Sequence, residues 1–289
     1  MGRINDFVQI SKPRIILLLL VVAWAAMSVA SPSGVPALTP FIAVTIAGIT
    51  STAASGAWNH VLERHRDAKM GRTADRPVAS GRLSPTLATA YGAIMAVISI
   101  ASLVVVQLWL AAALTAGAIF YYTLVYTVLL KPTTEQNIVI GGLAGSFPAV
   151  IGWAAITGTI GLPAILLAAL VFLWTPAHFW SLALLYQKDY ASAGYPMMPN
   201  TRGEAYTRRL IIVYSVLTFG ASLLLLPFSP ASWIYLIAAL ALGVLLTQKS
   251  IGLTKEPSPK KYRSFFLFTI QYLGVLLLAL IADRLLLAS

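Results

Sequence analysis

The chain has 289 residues, of which 58% are hydrophobic and only 10% are charged, and its formal net charge is +11. A soluble domain usually carries about 25% charged residues, so this composition excludes an ordinary water-soluble globular protein. The sequence contains no cysteine, which excludes disulfide bonds, thiolate metal sites and a cysteine nucleophile.

Nine apolar segments follow one another along the chain, and Pro or Gly marks most of the breaks between them. A helix needs about 20 apolar residues to cross the bilayer core. The segments lack the apolar/polar alternation of barrel strands, and backbone amides in lipid must be satisfied within their own segment, so the sequence predicts helices. We therefore expect an all-α, polytopic membrane protein with one transmembrane domain over residues 1–289 and spans near 14–31, 38–60, 85–107, 109–130, 138–157, 161–186, 209–228, 231–248 and 264–285.

The distribution of basic residues predicts the orientation of the spans. Of the 20 Lys and Arg residues, all but Arg284 lie in the N-terminal stretch or in the connections after spans two, four, six and eight. By the positive-inside rule, those segments face the cytoplasm, so the positive charge is expected to orient the chain in a membrane rather than to bind nucleic acid. The N-terminal stretch 1–12 runs directly into the first span and leaves no room for a separate transit peptide, so we expect a bacterial or archaeal plasma membrane.

The first candidate site follows the second span, where Asn59, Glu63 and Asp67 are spaced four residues apart. If the helix continues, steps of four residues turn about 400°, so the three side chains stay within an arc of roughly 80°. Each step rises about 6 Å, so one Mg²⁺ ion with ligands at about 2.1 Å does not reach all three, whereas two ions or one ion with bridging waters can. Such a cluster, interleaved with arginines, suits a metal-bound polyanion such as a diphosphate. The alternative is a solvated helix end with i,i+4 ion pairs.

The second candidate site is Asp189, an acidic residue at the end of the sixth span on the same predicted face. Together with the acids after span two, it predicts a shared polar mouth above an apolar cavity. The sixth span also carries His178, the one ionisable group at depth, and an ionisable group within a span indicates function by default. A proton-coupled transporter is expected to hold a carboxylate near the midplane, and none of the nine acidic residues lies at the centre of a span.

These residues stand in stretches that resemble the UbiA-type intramembrane prenyltransferases. The stretch from Asn59 to Pro77, NHVLERHRDAKMGRTADRP, resembles their first acidic motif, and the haem O synthases are the most similar branch. Ala193 stands four residues after Asp189, where other branches usually carry a second acidic residue, and this is also typical of the haem-modifying branch. Three further stretches agree in order, namely SKPRI (11–15), NIVIGGLAGSFPAVIGW (137–153), and TPAHFW (175–180) with DYASAGYPMMP (189–199).

The resemblance implies nine helices around a central cavity that opens to the cytoplasm. It also implies Mg²⁺-dependent transfer of a farnesyl group from farnesyl diphosphate to the 2-vinyl group of haem b, which yields haem O and diphosphate. Two departures affect the site, because Glu63 stands where the family has Asp, and Lys131 is followed by Pro132 where a second basic residue is common. The partners implied are haem b, farnesyl diphosphate, membrane lipid, and a downstream haem-modifying enzyme or terminal oxidase assembly.

Within the resemblance, two groups of residues are expected to hold the leaving group. Carboxylate and amide oxygens would bind Mg²⁺ and act in catalysis, and the residues that match are Asn59, Glu63, Asp67 and Asp189. Basic side chains would contact the diphosphate oxygens, and the residues that match are Arg14, Arg72, Arg76, Lys131 and Lys188. For the two lysines, anchoring at the membrane interface is the alternative.

Two residues are expected to face the haem, and a set of aromatic side chains is expected to shield the prenyl cation. His178 would ligate the haem iron or relay a proton, which makes it a further catalytic candidate, and hydrogen bonding between helices is the alternative. Arg202 would pair with a haem propionate. The aromatic side chains available are Trp58, Phe120, Tyr121, Tyr122, Tyr126, Phe147, Trp153 and Tyr186.

Three other functions stay open at this point. A prenyltransferase of the same superfamily that acts on an aromatic quinone precursor or another tetrapyrrole would use the same acidic residues. A small-molecule transporter would use the same nine spans, and so would a membrane protein that binds haem without transforming it. Formation of farnesylated haem from haem b, farnesyl diphosphate and Mg²⁺ separates the haem-modifying enzyme from all three.

Overall fold

The computed structural model describes residues 2–226 and 233–287, and in these two ranges the regular structure is helical throughout, with no strand. Nine helical stretches there are long and apolar enough to cross a membrane, which confirms the predicted fold class and number of spans. The helices of the first half are α1 (Gly2–Ile10), α2 (Pro13–Ala30), α3 (Leu38–Leu62), α4 (Arg64–Asp67), α5 (Pro85–Val104), α6 (Trp109–Phe120) and a π-helix (Tyr121–Leu130). Those of the second half are α7 (Asn137–Gly141), α8 (Leu143–Thr157), α9 (Leu162–Leu185), α10 (Gln187–Ser192), α11 (Met198–Thr201), α12 (Glu204–Leu224), α13 (Trp233–Lys255) and α14 (Pro259–Leu287).

Several helices extend beyond the ends that the apolar segments predicted. Helix α12 begins at Glu204 instead of residue 209, α13 continues to Lys255 instead of residue 248, and α14 begins at Pro259 instead of residue 264. Hydrophobicity marks the stretch that crosses the hydrocarbon, whereas intrahelical hydrogen bonds continue into the headgroup region, so charged first and last turns stay helical. The predicted end of the seventh span and the predicted start of the eighth lie outside the described residues.

Two spans depart from a regular α-helix, and the sequence patterns did not predict either departure. The fourth span changes from α6 into the π-helix at Tyr121, and the fifth is divided at Gly142 into α7 and α8. Helices α1, α4, α10 and α11 lie beside the spans and are too short for hydrophobic periodicity to reveal. Helix α1 docks on the connection before α5, where Asp6 accepts a hydrogen bond from Arg82 Nε at 3.0 Å.

Helix α9 packs against α8, α12 and α14 and contributes much of the buried core. Helix α8 in turn packs closely on α2, because Gly152 lies directly against the backbone of Ala23, where a side chain would collide with the carbonyl oxygen. Small residues at such crossings let membrane helices approach each other closely. Helices α2, α8 and α9 therefore form a tightly packed group.

Side-chain contacts between the connections place charged residues on one face of the bundle. Lys131, just after the π-helix, contacts Glu63 at the end of α3. Arg72, in the connection before α5, contacts Asp189 on α10 through its backbone amide. We call the surface formed by these connections the charged face, and its segments are 63–84, 131–136 and 186–203.

Arg284 lies on the opposite face, as the charge distribution predicts, and it links α14 to the end of α2. Its guanidinium donates hydrogen bonds to the backbone oxygens of Ser31 at 2.6 Å and Ser28 at 3.3 Å. These carbonyls lie at the C-terminal end of α2, where backbone oxygens lack partners within the helix. Next to it, Asp283 accepts a hydrogen bond from the backbone amide of Tyr235 at 3.0 Å. One turn of α14 therefore ties α2 and α13 together.

We expect Arg284→Leu to destabilise the protein by about 1–3 kcal/mol, because it leaves the buried carbonyl of Ser28 without a donor and leaves that of Ser31 with the Gly34 amide alone. Arg263→Leu is the matched control, since Arg263 is exposed on the same helix and has no side-chain partner among the described residues. Thermal unfolding in detergent micelles, followed by tryptophan fluorescence, measures the difference. Equal unfolding temperatures for the two variants would contradict the role of Arg284 as a cap.

Candidate active site

The first acidic motif is a helix end that continues through a small break. Helix α3 ends at Leu62, and Glu63 has φ −93° and ψ 0° before α4 begins. The backbone amide of Glu63 still donates to Asn59 O at 2.9 Å, and that of Asp67 donates to Glu63 O at 2.8 Å. These bonds keep the three side chains one turn apart, as the spacing predicted. Asn59, Glu63 and Asp67 are only 2%, 4% and 0% exposed, so the alternative of a solvated helix end is wrong.

Each carboxylate of this motif is paired with a basic side chain from a different segment. Lys131 Nζ donates to Glu63 Oε1 at 2.5 Å. Arg76 Nη1 donates to both oxygens of Asp67, at 2.9 and 2.8 Å, and lies 4.0 Å from Glu63 Oε2. Burial works to raise the pKa of Glu63, but the charge and hydrogen bond of Lys131 outweigh it and hold that pKa below its ordinary value. Burial works to lower the pKa of Lys131, and the charge of Glu63 raises it instead.

The third member of the motif, Asn59, is held at both ends of its amide group. Lys12 Nζ donates to Asn59 Oδ1 at 2.7 Å and to the Tyr122 hydroxyl at 3.0 Å. Asn59 Nδ2 donates to Thr127 Oγ1 at 3.3 Å. Lys12 precedes Pro13 and has a left-handed backbone with φ 56°, which is uncommon for a residue with a Cβ. The amide of Asn59 therefore has one defined orientation, with its oxygen toward a cation.

The π-helix explains how one segment supplies several partners of the motif. Lys131 follows Tyr122 by nine residues, which make about 2.5 turns of α-helix and would put the two side chains on opposite sides. A π-helix with i→i+5 bonds has about 4.4 residues per turn, so the same nine residues make about two turns. The amide of Lys131 indeed bonds to Tyr126 O at 2.9 Å, five residues earlier. Tyr122, Thr127 and Lys131 therefore all face the end of α3.

Tyrosine rings surround the basic side chains of the site. The ring centroid of Tyr195 lies 4.8 Å from Lys131 Nζ and 4.8 Å from Arg66 Cζ. The ring of Tyr126 lies 5.9 Å from the same Lys131 nitrogen. Burial raises the pKa of Tyr195 to about 12, so its hydroxyl stays neutral at physiological pH. Such cation–π contacts stabilise a positive charge by about 0.5–2 kcal/mol each without adding a negative charge.

The second acidic segment touches the first at the charged face. The backbone amide of Arg72 donates to Asp189 Oδ2 at 3.3 Å, and Ser192 Oγ donates to Lys69 O at 3.0 Å. The guanidinium of Arg72 lies over the ring of Tyr186 at 4.9 Å from its centroid. Helix α10 and the connection 63–84 therefore form one polar mouth.

The oxygen atoms at this mouth suit a Mg²⁺ ion that is held largely by its substrate. No three His, Asp or Glu side chains of the described chain lie close enough together to hold a metal ion by themselves. Mg²⁺ commonly uses one or two carboxylates together with phosphate oxygens and waters, so a third protein acid is not required. Glu63 Oε2 is buried and has no hydrogen-bond partner, which leaves a carboxylate oxygen facing the site for such an ion. The residues present therefore fit Mg²⁺.

Comparison with known proteins assigns the family. The family model described as the UbiA prenyltransferase family matches residues 18–273. The chain belongs to the UbiA prenyltransferase family. It is 38% identical to the protoheme IX farnesyltransferase of Teredinibacter turnerae, over 97% of this chain and 90% of that protein. It is also 42% identical to the protoheme IX farnesyltransferase of Halobacterium salinarum over 98% of this chain, but it spans only 64% of that relative's length.

Solved structures of UbiA proteins are similar over nearly the whole chain. A structure of digeranylgeranylglyceryl phosphate synthase has a TM-score of 0.78 at 15% identity and covers 99% of both chains. A structure of a UbiA homologue from Archaeoglobus fulgidus bound to GPP and Mg²⁺ has a TM-score of 0.67 at 14% identity, covering 96% of this chain and 99% of that chain. At these identities the likeness shows a shared fold, which agrees with the all-α architecture. The family match confirms the resemblance that the acidic motif suggested.

The UbiA chain brings together some of the basic residues predicted to contact diphosphate, but not all of them. Arg76 and Lys131 bind the acidic motif directly, and Arg72 lies beside Asp189. Arg14 and Lys188 are exposed, and neither side chain makes a hydrogen bond or an ion pair within the described part of the chain. For these two residues, contact with diphosphate stays a prediction.

The two residues predicted to face haem have other partners in the structure. His178 Nδ1 lies 2.7 Å from Thr269 Oγ1 on α14, and its ring stacks on Trp174 and Phe266 with centroids 4.3 and 4.5 Å away. These contacts favour the alternative of hydrogen bonding between helices. Arg202 Nε donates to Glu135 Oε1 at 2.7 Å. A role of either residue toward haem stays a prediction.

The aromatic side chains predicted to shield a cation fall in different places. Tyr122, Tyr126 and Tyr186 lie at the mouth, each beside a basic side chain. Trp58 and Phe120 instead line an open apolar groove between α3, α5, α6 and the π-helix. The central cavity that the resemblance implied stays a prediction.

Four side chains of the site were absent from the predicted set. Lys12 lies in SKPRI and Tyr195 in DYASAGYPMMP, two stretches that resemble the UbiA family, so their place in these motifs was the available signal. Arg66 is interleaved with the acidic motif and contacts Tyr195. Thr127 carried no signal, because its position relative to Asn59 depends on the π-helical register.

We expect Glu63→Gln or Lys131→Met alone to destabilise the protein by about 3–5 kcal/mol, because each leaves a buried charge without its partner. The double variant is expected to recover most of that loss, since both charges are then absent. A double-mutant cycle on unfolding in detergent micelles measures the coupling between the two residues.

The matched control for this cycle is the exposed pair of Glu256 and Lys261, whose charged atoms lie 2.8 Å apart. Exposed ion pairs contribute only about 0–1 kcal/mol, so the same substitutions there are expected to show little coupling. Additive losses at Glu63 and Lys131 would contradict the buried ion pair.

Proposed function

We propose that this UbiA-family chain transfers a farnesyl group from farnesyl diphosphate to the 2-vinyl group of haem b and releases haem O and diphosphate. The observation that carries the proposal is 38% identity to the protoheme IX farnesyltransferase of Teredinibacter turnerae, over 97% of this chain and 90% of that protein. The chain spans 64% and 65% of the length of two other relatives that bear the same name, from Halobacterium salinarum and Natronomonas pharaonis. The buried acidic motif among basic side chains supports the proposal, because it suits a metal-bound diphosphate.

The polar mouth is suited to the departure of the leaving group. The bond between farnesyl C1 and the diphosphate oxygen breaks, and its electron pair stays on the diphosphate. Mg²⁺, when bound, supplies Lewis-acid stabilisation of that developing charge. Glu63 and Asp67, with Asn59, would hold the ion, and Asp189 would contribute from the other side of the mouth. Basic side chains nearby, Arg76 first among them, would donate hydrogen bonds to the diphosphate oxygens.

The allylic cation must then be kept from water until the vinyl group attacks. Tyr122, Tyr126 and Tyr186 present aromatic rings beside the mouth, and aromatic faces favour a positive charge. The terminal vinyl carbon of haem b bonds to farnesyl C1, which moves the positive charge to the inner vinyl carbon. Water adds to that carbon and releases a proton, which gives the hydroxyethyl group of haem O and completes the balance.

We further propose that the charged face is the cytoplasmic face. It is formed by the connections after spans two, four and six, and all but one of the Lys and Arg residues lie in the N-terminal stretch or in the connections after even-numbered spans. Both substrates would then enter the mouth from the cytoplasmic side of the membrane. The product, an apolar haem with a prenyl chain, would pass within or along the membrane to a haem-modifying enzyme or an oxidase under assembly.

We expect purified protein in detergent, given haem b, farnesyl diphosphate and Mg²⁺, to produce a later-eluting haem on reversed-phase chromatography. Its mass is expected to exceed that of haem b by a farnesyl group and a hydroxyl group. Removal of Mg²⁺ with a chelator is expected to abolish the product. Transfer to an aromatic quinone precursor and not to haem b would instead support the other prenyltransferase. Binding of haem without any product would support the haem-handling alternative.

We expect Asp67→Asn and Asn59→Ala to lower the rate of transfer by about 100-fold or more, because each removes an oxygen or charge that acts on the leaving group. Asp75→Asn is the matched control, since Asp75 lies in the same connection but its side chain is fully exposed. The rate of haem O formation at saturating substrates measures the effect. Equal rates for Asp67→Asn and Asp75→Asn would remove the metal role assigned to Asp67.

A further inference from the structure

The carboxylates expected to hold Mg²⁺ are also held tightly by cations of the protein itself. Lys131 Nζ lies 2.5 Å from Glu63 Oε1, and Arg76 Nη1 lies 2.8 Å from Asp67 Oδ2. Both carboxylates are buried, so water and salt screen these pairs far less than they screen surface pairs. A divalent cation that binds the same oxygens must therefore compete with an ammonium and a guanidinium group.

The two cations are placed so that they can serve a second acceptor. Arg76 Nη1 lies between both acids, 2.8 Å from Asp67 and 4.0 Å from Glu63. Lys131 Nζ is also close to the rings of Tyr195 and Tyr126, which stabilise its charge when Glu63 is no longer its partner. A lysine has three donors on a flexible four-carbon stem, so it can change partners without a movement of the backbone.

We propose that Lys131 and Arg76 are exchangeable counter-ions, which neutralise Glu63 and Asp67 and transfer to diphosphate oxygens when Mg²⁺ and a diphosphate bind together. The inference rests on the proposed function for the identity of the diphosphate substrate. Mg²⁺ alone displaces two buried cations and offers them no acceptor, whereas the complex of metal and diphosphate supplies acceptors for both. The mouth therefore selects the complex over the free ion.

The exchange and simple contact with the substrate predict different effects of Lys131 on the affinity for Mg²⁺ alone. A lysine that contacts only diphosphate, and pairs with neither carboxylate, opposes the binding of Mg²⁺ alone only through its screened charge. Lys131 as an exchangeable counter-ion opposes binding of the free ion and favours binding of the complex. Removal of the Lys131 side chain is therefore expected to strengthen the binding of Mg²⁺ alone and to reduce the gain in affinity that diphosphate adds.

Isothermal titration calorimetry of the purified full chain in detergent micelles tests the proposal, with MgCl₂ alone and with MgCl₂ plus inorganic diphosphate as probes. For Lys131→Met, we expect the affinity for Mg²⁺ alone to rise by roughly 5- to 150-fold, the usual range of coupling between two sites. The gain in affinity on adding inorganic diphosphate is expected to shrink by a similar factor. Lys131→Arg keeps the charge and is expected to bind Mg²⁺ alone as weakly as the native protein.

Lys69→Met is the matched control, because Lys69 is exposed in the same face and its side chain has no partner among the described residues. It is expected to leave both titrations unchanged. Arg76→Gln tests the same exchange at Asp67, with the same expected sign, so the test does not depend on the folding of one variant. Unchanged or weaker binding of Mg²⁺ alone in the folded variants overturns the proposal. The titrations use neither haem nor farnesyl diphosphate. A failure to make farnesylated haem would therefore overturn the proposed function without changing the result of the titrations.

Discussion

Two buried carboxylates, those of Glu63 and Asp67, determine how one end of the helical bundle is built. An ionised Glu63 or Asp67 without a partner there costs several kcal/mol, so each requires a cation with good hydrogen-bond geometry. Lys131 and Arg76 meet that requirement from two different connections, 131–136 and 63–84. The charged face is therefore a meeting of distant segments, and the nine spans hold those segments in place.

The π-helix serves the same requirement. Helices of this kind are rare and occur frequently at functional sites, because their wider turn changes which side chains share a face. Here that turn directs Tyr122, Thr127 and Lys131 toward the end of α3, where they orient Asn59 and neutralise Glu63. The aromatic rings of Tyr126 and Tyr195 contact the Lys131 ammonium group beside these carboxylates.

The two faces of the bundle use basic side chains for different ends. At the opposite face, Arg284 bonds to the backbone carbonyls of Ser28 and Ser31 at the end of α2, which have fixed positions. At the charged face, Lys131 and Arg76 bond to carboxylates, for which a metal ion can compete. The first arrangement contributes stability alone, whereas the second contributes stability and leaves room for exchange. The fold shared with UbiA structures at 14–15% identity shows that the bundle tolerates many sequences.

Composition and charge placement by themselves determined the all-α fold, the nine spans and the grouping of basic residues, because backbone amides in lipid must be hydrogen-bonded within their own segment, so each span depends on local sequence. The spacing of Asn59, Glu63 and Asp67 determined their shared face, because hydrogen bonds continue through the break at Glu63. Only the tertiary structure decided which cation pairs with which residue of the acidic motif, since Lys12 and Lys131 lie 47 and 68 residues from Asn59 and Glu63. It also decided the π-helical register, because that register depends on packing against other helices and not on the hydrophobic pattern of the span itself.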